Sequence, residues 1–202
     1  MTKIGRPLVM TVEDRCKEIY AVAEKLFGEK GFANVTMAEI ATASGMSKKT
    51  LYVHFPDKRE LFKSLVSSSY LWSEQVIQCE MTDQPIKQLK QHLKTIAKYA
   101  LSERHLKLCR LAIAENFASE GMADTFYQLG IAASRQNLID SIKCIPQVAF
   151  RITLDAGVLA DMLFGAVVGT LLIDSLMATH HHPHDFVQIE QNIDQVVDAL
   201  FI

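Results

Sequence analysis

Apolar positions recur along this chain with helical spacing almost from end to end. Ile19, Val22, Ala23, Leu26 and Phe27 fall at i, i+3, i+4, i+7 and i+8, the inward stripe of a helix predicted over residues 12–30. Thr11, with Asp14 three residues on, is expected to cap its start, and Gly31 to stop it through the left-handed region. Thr36 and Glu39 make a capping box for a short second helix that Gly45 ends. Ser47 caps a third, from Lys48 to about His54, which Pro56 breaks, and Asp57-x-x-Glu60 opens a fourth. Small residues (Ala38, Ala41, Ala43 and Gly45) are expected where these short helices cross. Longer helices are predicted at about 57–79, 85–102, 104–118, 122–144, 153–179 and 186–201, with Pro85, Gly121, Pro146 and Pro183 at four of the joins. Asn-Gly and Asp-Gly turns and sustained period-two alternation are absent, so the expected fold is all-α with about nine helices.

Composition changes this picture in one respect. A chain of 202 residues that is 49% hydrophobic and 22% charged can bury a sizeable core. Its net charge of -2 hides an asymmetry. Residues 1–63 hold 11 Lys and Arg against 8 Asp and Glu, a net of +3, whereas the rest holds 10 against 15, a net of -5. A basic head on an acidic body implies that only the head meets a polyanion. Cys16, Cys79, Cys109 and Cys144 form no CxxC pair and read as reduced, buried thiols of a cytoplasmic protein. The apolar run from Met162 to Ile173, bracketed by Asp161 and Asp174, reads as too short for the roughly 20 residues of a membrane span. Glu13, Asp14 and Arg15 interrupt the start before any signal-peptide core develops.

The candidate chemistry lies between Thr36 and Phe62, which reads as helix, turn, helix, stop. Leu51 and Phe55, four apart, point into a small core and leave Ser47, Lys48, Lys49, Thr50, Tyr52 and His54 outward. That face carries cations, hydroxyls and a phenol but no acid, a combination suited to phosphates and base edges in a major groove. Lys48 and Lys49 are positioned to donate to guanine, Thr50 to touch thymine or phosphate, and Tyr52 and His54 to bind phosphate. Thr36 and Lys58, at the starts of flanking helices, are expected to hold the phosphate backbone beside free N–H groups. HExxH, Glu-x-x-His and Gly-rich phosphate loops are all absent, so an enzyme is not expected.

Residues 15–62 resemble the DNA-binding domain of the TetR (tetracycline-repressor-like) family, through Ala23, Leu26, Phe27, Gly31, Phe32, Thr36, Ile40, Ala41, Gly45, Ser47, Thr50, Leu51, Tyr52, Phe55, Lys58 and Leu61. Lys49 and Val53 depart from the common pattern. The resemblance implies a homodimeric regulator, most simply a repressor released from a palindromic operator by a small lipophilic effector. An activator or global regulator without such a ligand, or a helical adaptor, is the alternative. The organisation expected is a helix-turn-helix domain at 1–62 and a helical ligand-binding and dimerisation domain at 63–202.

The apolar segment from Leu154 to Met177, with Gly165-x-x-x-Gly169, is a candidate dimer helix, although packing within the monomer explains the pattern equally. Gly165, Gly169, Ile173, Val196 and Leu200 are the interface candidates. Leu93, Ile96, Arg110, Asn116, Phe117, Phe126, Tyr127 and Met162 are the ligand-pocket candidates. No cofactor or metal is expected, and the tract His180–His184 reads as a solvated loop. Gly5-Arg6-Pro7 resembles the core of a minor-groove arm, with a plain tail as the alternative.

Overall fold

The computed structural model describes residues 11–76, 84–115, 122–177 and 184–202. The proposed arm, Asn116, Phe117 and most of the histidine tract lie outside the described residues. Among those described, the chain is all-α: α1 (Val12–Lys30), α2 (Met37–Ala43), α3 (Lys48–His54), α4 (Lys58–Val76), α5 (Pro85–Ala100), α6 (Glu103–Glu115), α7 (122–143), α8 (Ala156–Met177) and α9 (Phe186–Leu200). The one extended pairing is an isolated antiparallel bridge between Phe150 and Phe201. The chain divides into two compact units, 1–65 and 66–202, so the boundary falls inside α4.

Local chemistry accounts for the helix ends of the first unit. Thr11 accepts from the Asp14 N–H, and Thr36 accepts from the Glu39 N–H while the Glu39 carboxylate takes the Thr36 N–H. Ser47 accepts from the Thr50 N–H, and Asp57 from the Glu60 N–H. Each such cap is worth about 1 kcal/mol. Gly31 (φ 79°, ψ 151°) stops α1 in a region beyond the left-handed well that was expected, one open only to glycine. The core is an aromatic triangle, Phe27–Phe32–Phe62, with centroids 5.0, 5.7 and 6.4 Å apart, ringed by Ile19, Ile40, Leu51 and Leu61. Of the small residues expected at the crossings, only Ala41 is buried. Ala43 and Gly45 are exposed.

In the second unit, α5 buries Leu89, Leu93, Ile96 and Ala100 against α7, α8 and α9. Outside that seam runs an antiparallel ladder of ion pairs between α5 and α9: Lys90–Asp198 at 2.7 Å, Lys94–Asp194 at 3.0 Å and Lys98–Glu190 at 2.7 Å. Such partly exposed pairs contribute tenths of a kcal/mol each and mainly fix register.

Two π-helical turns interrupt the long helices, Tyr127–Ala132 in α7 and Gly165–Gly169 in α8. α8 is 22 residues long, so the expectation that this segment is too short to span a membrane fails on length and composition alone. One face of it, Leu159, Leu163, Val167 and Val168, is packed into the core of this unit. The cysteine expectation also needs correction: Cys16 and Cys109 are free thiols, but Cys144 is exposed and joined in a disulfide.

His92 and His105 are buried, and burial pushes each imidazole down to about 4. His92 Nδ1 bonds the Ser141 hydroxyl at 2.9 Å, while its Nε2 has no hydrogen-bond partner. Between that value and the ordinary 6.5 the unfolded chain binds more protons, so stability rises with pH across the window and is lost as pH falls through it. Urea unfolding at pH 5 is expected to show about 2 kcal/mol less stability per buried histidine than at pH 7. His92→Leu, which leaves the Ser141 hydroxyl its bond to the Asn137 carbonyl, is expected to remove one of these contributions.

Candidate nucleic-acid interface and an internal cavity

α2 ends in a tight reversal that allows α3 to start after a four-residue turn, 44–47. Gly45 takes φ 66°, and the Met46 N–H reaches back to the Ala41 carbonyl at 2.9 Å, which satisfies the frayed end of α2. Leu51 and Phe55 are buried, and the Phe55 ring lies 5.7 Å from that of Tyr20 on α1. These anchors turn the opposite face of α3 to solvent. Ser47, Lys48, Lys49 and Tyr52 are exposed, as expected. Thr50 and His54 are half-buried: the Thr50 hydroxyl shares a 2.9 Å hydrogen bond with Ser47, and His54 rests beside Phe55. Val53 is 76% exposed, the most exposed large apolar residue among the described residues of this unit. It was missed as an outward residue, although the Leu51–Phe55 spacing already places position 53 opposite the core.

The carboxylate of α2 is paired with a cation. Glu39, the one carboxylate of α2, is held at about 2 by the Lys30 ammonium at 2.9 Å and by its bonds to Thr36. Thr36 itself is exposed, with its hydroxyl committed to the capping box.

Lys58 departs from expectation. Its ammonium turns inward and donates to the carbonyls of Phe32 (2.6 Å), Val35 (2.7 Å) and Ala33 (3.2 Å), 4.5 Å above the Phe32 ring. The side chain therefore ties α4 to the α1–α2 loop instead of facing a phosphate. Partners 23 to 26 residues away are what sequence spacing cannot reveal.

In the second unit a cavity of about 260 Å³ lies among α5, α6, α7 and α8. Its wall is predominantly apolar, with Ile96, Leu138 and Phe164 among its members. His105 and Cys109 meet there, one turn apart on α6, with Nε2 and Sγ 3.2 Å from each other. Arg135 and Asp161 join at the wall in a two-pronged ion pair of 2.7 and 2.8 Å. Each π turn supplies a lining residue, Ile131 from α7 and Gly165 from α8.

The pocket residues chosen from sequence are dispersed. Ile96 lines the cavity. Leu93 is core, and Arg110 donates to the carbonyls of Ser175 and Leu176. Phe126 is buried behind His105, 5.7 Å from its ring, while Tyr127 and Met162 are about half exposed. Helical periodicity marks a buried face but does not separate core from cavity wall. Of the dimer candidates, Gly165 lines the cavity, Gly169 is half-buried, Ile173 is 63% exposed, and Val196 and Leu200 pack partly on the monomer's own core.

A capped helix, a glycine turn and a second capped helix held edge-on by two core residues define a helix-turn-helix protein. Comparison carries this to a family. The sequence profile described as bacterial regulatory proteins, tetR family, matches residues 19–65. The transcriptional regulator AcrR of Shigella flexneri is 26% identical over 108 residues, covering 52% of this chain and 50% of AcrR, so the match spans about half the length of that relative. The nucleoid occlusion factor SlmA of Aliivibrio fischeri is 28% identical over 158 residues, 75% of this chain and 79% of SlmA. A TetR-family regulator of Mesorhizobium loti superposes with a TM-score of 0.73 at 25% identity, over 95% of this chain and 96% of its own. Residues 19–65 thus match the DNA-binding domain of the TetR family, and the chain as a whole is similar to TetR-family regulators, which are DNA-binding proteins and not enzymes.

Lys58→Met is expected to destabilise the protein by about 3 kcal/mol in urea unfolding, because three carbonyls lose a cationic donor. Lys49→Met, on the open face, is expected to shift stability by less than about 0.5 kcal/mol.

Proposed function

We propose that this protein is a homodimeric, cytoplasmic transcriptional repressor. It binds a palindromic operator through α3 and leaves when a small lipophilic effector occupies the second unit. One observation carries the DNA reading: α3 exposes Lys48, Lys49 and Tyr52 with no acid beside them, on a helix whose other face is locked by Leu51 and Phe55. Lys48 and Lys49 donate to guanine O6 and N7, and the Val53 methyls meet a thymine methyl. Tyr52, His54, Ser47 and Thr50 contact phosphates, and Thr36 presents the start of α2 to the backbone.

A single α3 makes too few contacts for specific binding, so two must be presented about 34–36 Å apart by a two-fold axis. α8 supports the pairing. Val158, Met162, Ile173 and Met177 form an open apolar stripe on the side away from its core face, each 46–80% exposed. The α3 spacing is set by the duplex, so an effector that favours another spacing weakens binding by its differential affinity for the two states. The cavity among α5 to α8 is the observation that favours an effector. A second reading, a role other than effector-released repression, draws on the likeness to the nucleoid occlusion factor SlmA, which covers more of this chain than the AcrR match does.

Selection from a random duplex pool is expected to return inverted repeats. Lys48→Ala and Lys49→Ala are each expected to weaken the selected site at least tenfold, and failure to enrich any inverted repeat at moderate salt overturns the proposal. Met162→Glu combined with Ile173→Glu is expected to give monomers by light scattering with the fold retained. A surviving dimer removes α8 from the interface.

A further inference from the structure

Neither DNA binding nor subunit pairing accounts for one pair of side chains in the second unit. His105 and Cys109 stand one turn apart on α6 and both border the cavity, with His105 Nε2 3.2 Å from Cys109 Sγ. Both residues are buried. The imidazole lies between the rings of Tyr99 and Phe126, with centroids 4.8 and 5.7 Å away. Burial pushes the imidazole down to about 4 and the thiol up to about 12. At neutral pH both groups are therefore uncharged. With the ring proton on Nδ1, the thiol donates to Nε2, whose lone pair faces the sulfur.

Such a pair is a poor nucleophile, because the thiolate is the reactive form of a cysteine. It is better suited to a particular kind of metal ion. Thiolate sulfur is a soft donor, and a metal that binds it displaces the proton outright. Among the described residues, no group of three or more His, Cys, Asp or Glu side chains is placed to hold a metal. Zinc, which takes four ligands in structural sites, is thereby poorly matched. Charge makes the same selection. When a monovalent cation enters, the S–H bond breaks, a sulfur–metal bond forms and the proton leaves to solvent. Nε2 supplies the second bond from its lone pair, and the pocket stays as neutral as before. A divalent ion would leave one positive charge uncompensated at a buried site, with the Arg110 guanidinium already acting on Cys109. Bonds of about 2.3 Å to sulfur and 2.0 Å to nitrogen span about 4.3 Å when linear, so the two side chains must part by about 1 Å. Flanking rings restrain the imidazole, and the Cys109 side chain has the cavity to move into.

We propose that His105 and Cys109 form a two-coordinate site for a soft monovalent cation of the copper(I) and silver(I) class. The site goes beyond the proposed function and does not depend on it. Metal uptake by these two residues can be measured without DNA, and operator release by an organic effector can hold or fail separately.

The test uses the full-length chain carrying Cys16→Ser, Cys79→Ser and Cys144→Ser, which leaves Cys109 as its only cysteine. Copper(I) is supplied without oxygen from its bicinchoninate complex. One copper per chain is expected, with one sulfur and one nitrogen neighbour by X-ray absorption. One proton is expected to be released per copper even at pH 9.5, where a thiol at the ordinary value of 9.0 is already largely ionised. In the same background Cys109→Ser is expected to abolish uptake. His105→Gln, which keeps the thiol, is expected to weaken it at least tenfold. A hundredfold excess of zinc is expected to leave the copper in place.

Uptake that survives Cys109→Ser, affinity unchanged in His105→Gln, displacement by zinc, or no uptake by the folded single-cysteine chain overturns the proposal. So does release of much less than one proton at pH 9.5. If the single-cysteine chain loses its helical circular dichroism, the unaltered protein is compared with its Cys109→Ser form. These are expected to differ by one copper per chain, and equal stoichiometry overturns the proposal.

Discussion

The seven residues of α3 make less than two turns of helix, far below the length at which a helix persists alone in water. What holds it is tertiary. Leu51 and Phe55 insert into a core already closed by Phe27, Phe32 and Phe62, and Ser47 ties the first turn. Because those two anchors are four apart, they fix the rotation of the helix as well as its position. Everything attributed to the outward face follows from that rotation. A slip of one residue would bury Tyr52 and expose Leu51, and the face that meets DNA in the proposed function would not exist.

The surroundings of α3 serve the same constraint. The Lys58 ammonium gathers three carbonyls of the α1–α2 loop, and so fixes where α2 begins. The Thr36–Glu39 box then sets the direction of α2, and Lys30 neutralises the carboxylate that this box requires. Without Lys30, a bare negative charge would lie on the unit's own basic side. Caps, loop and ion pair thus form one sequence of local choices that agree with one another, and such agreement specifies a small domain.

Those local choices are also why the first unit was legible in the sequence. Caps operate over three residues and apolar stripes over four, so the Thr11, Ser47 and Asp57 caps, the Leu51–Phe55 anchor and the start of nearly every long helix could be read directly. What could not be read depends on packing between distant segments. The Lys58 cage spans more than twenty residues. The π turns need a register shift that no residue type announces, even with Gly165 and Gly169 at the ends of one of them. The cavity is invisible for a related reason: Leu93 and Ile96 are both inward residues of α5, and only the third dimension assigns one to the core and the other to the wall.

The π turns bear on how the second unit can respond. An added residue per turn widens a helix and leaves its hydrogen bonds poorer than those of an α-turn, so such segments are the easier places for a long helix to change register. Here both contribute to the cavity wall, through Ile131 and Gly165. α8 carries one of them between its core-packed face and the open stripe of Val158, Met162, Ile173 and Met177. In the proposed dimer, one helix would therefore border the ligand on one side and the second subunit on the other. A molecule that shifts the equilibrium of the Gly165–Gly169 turn would change the surface offered to the partner without crossing any intervening layer. By reciprocity, the paired state would then hold the ligand with a different affinity from the isolated chain, and that difference is the coupling free energy release requires.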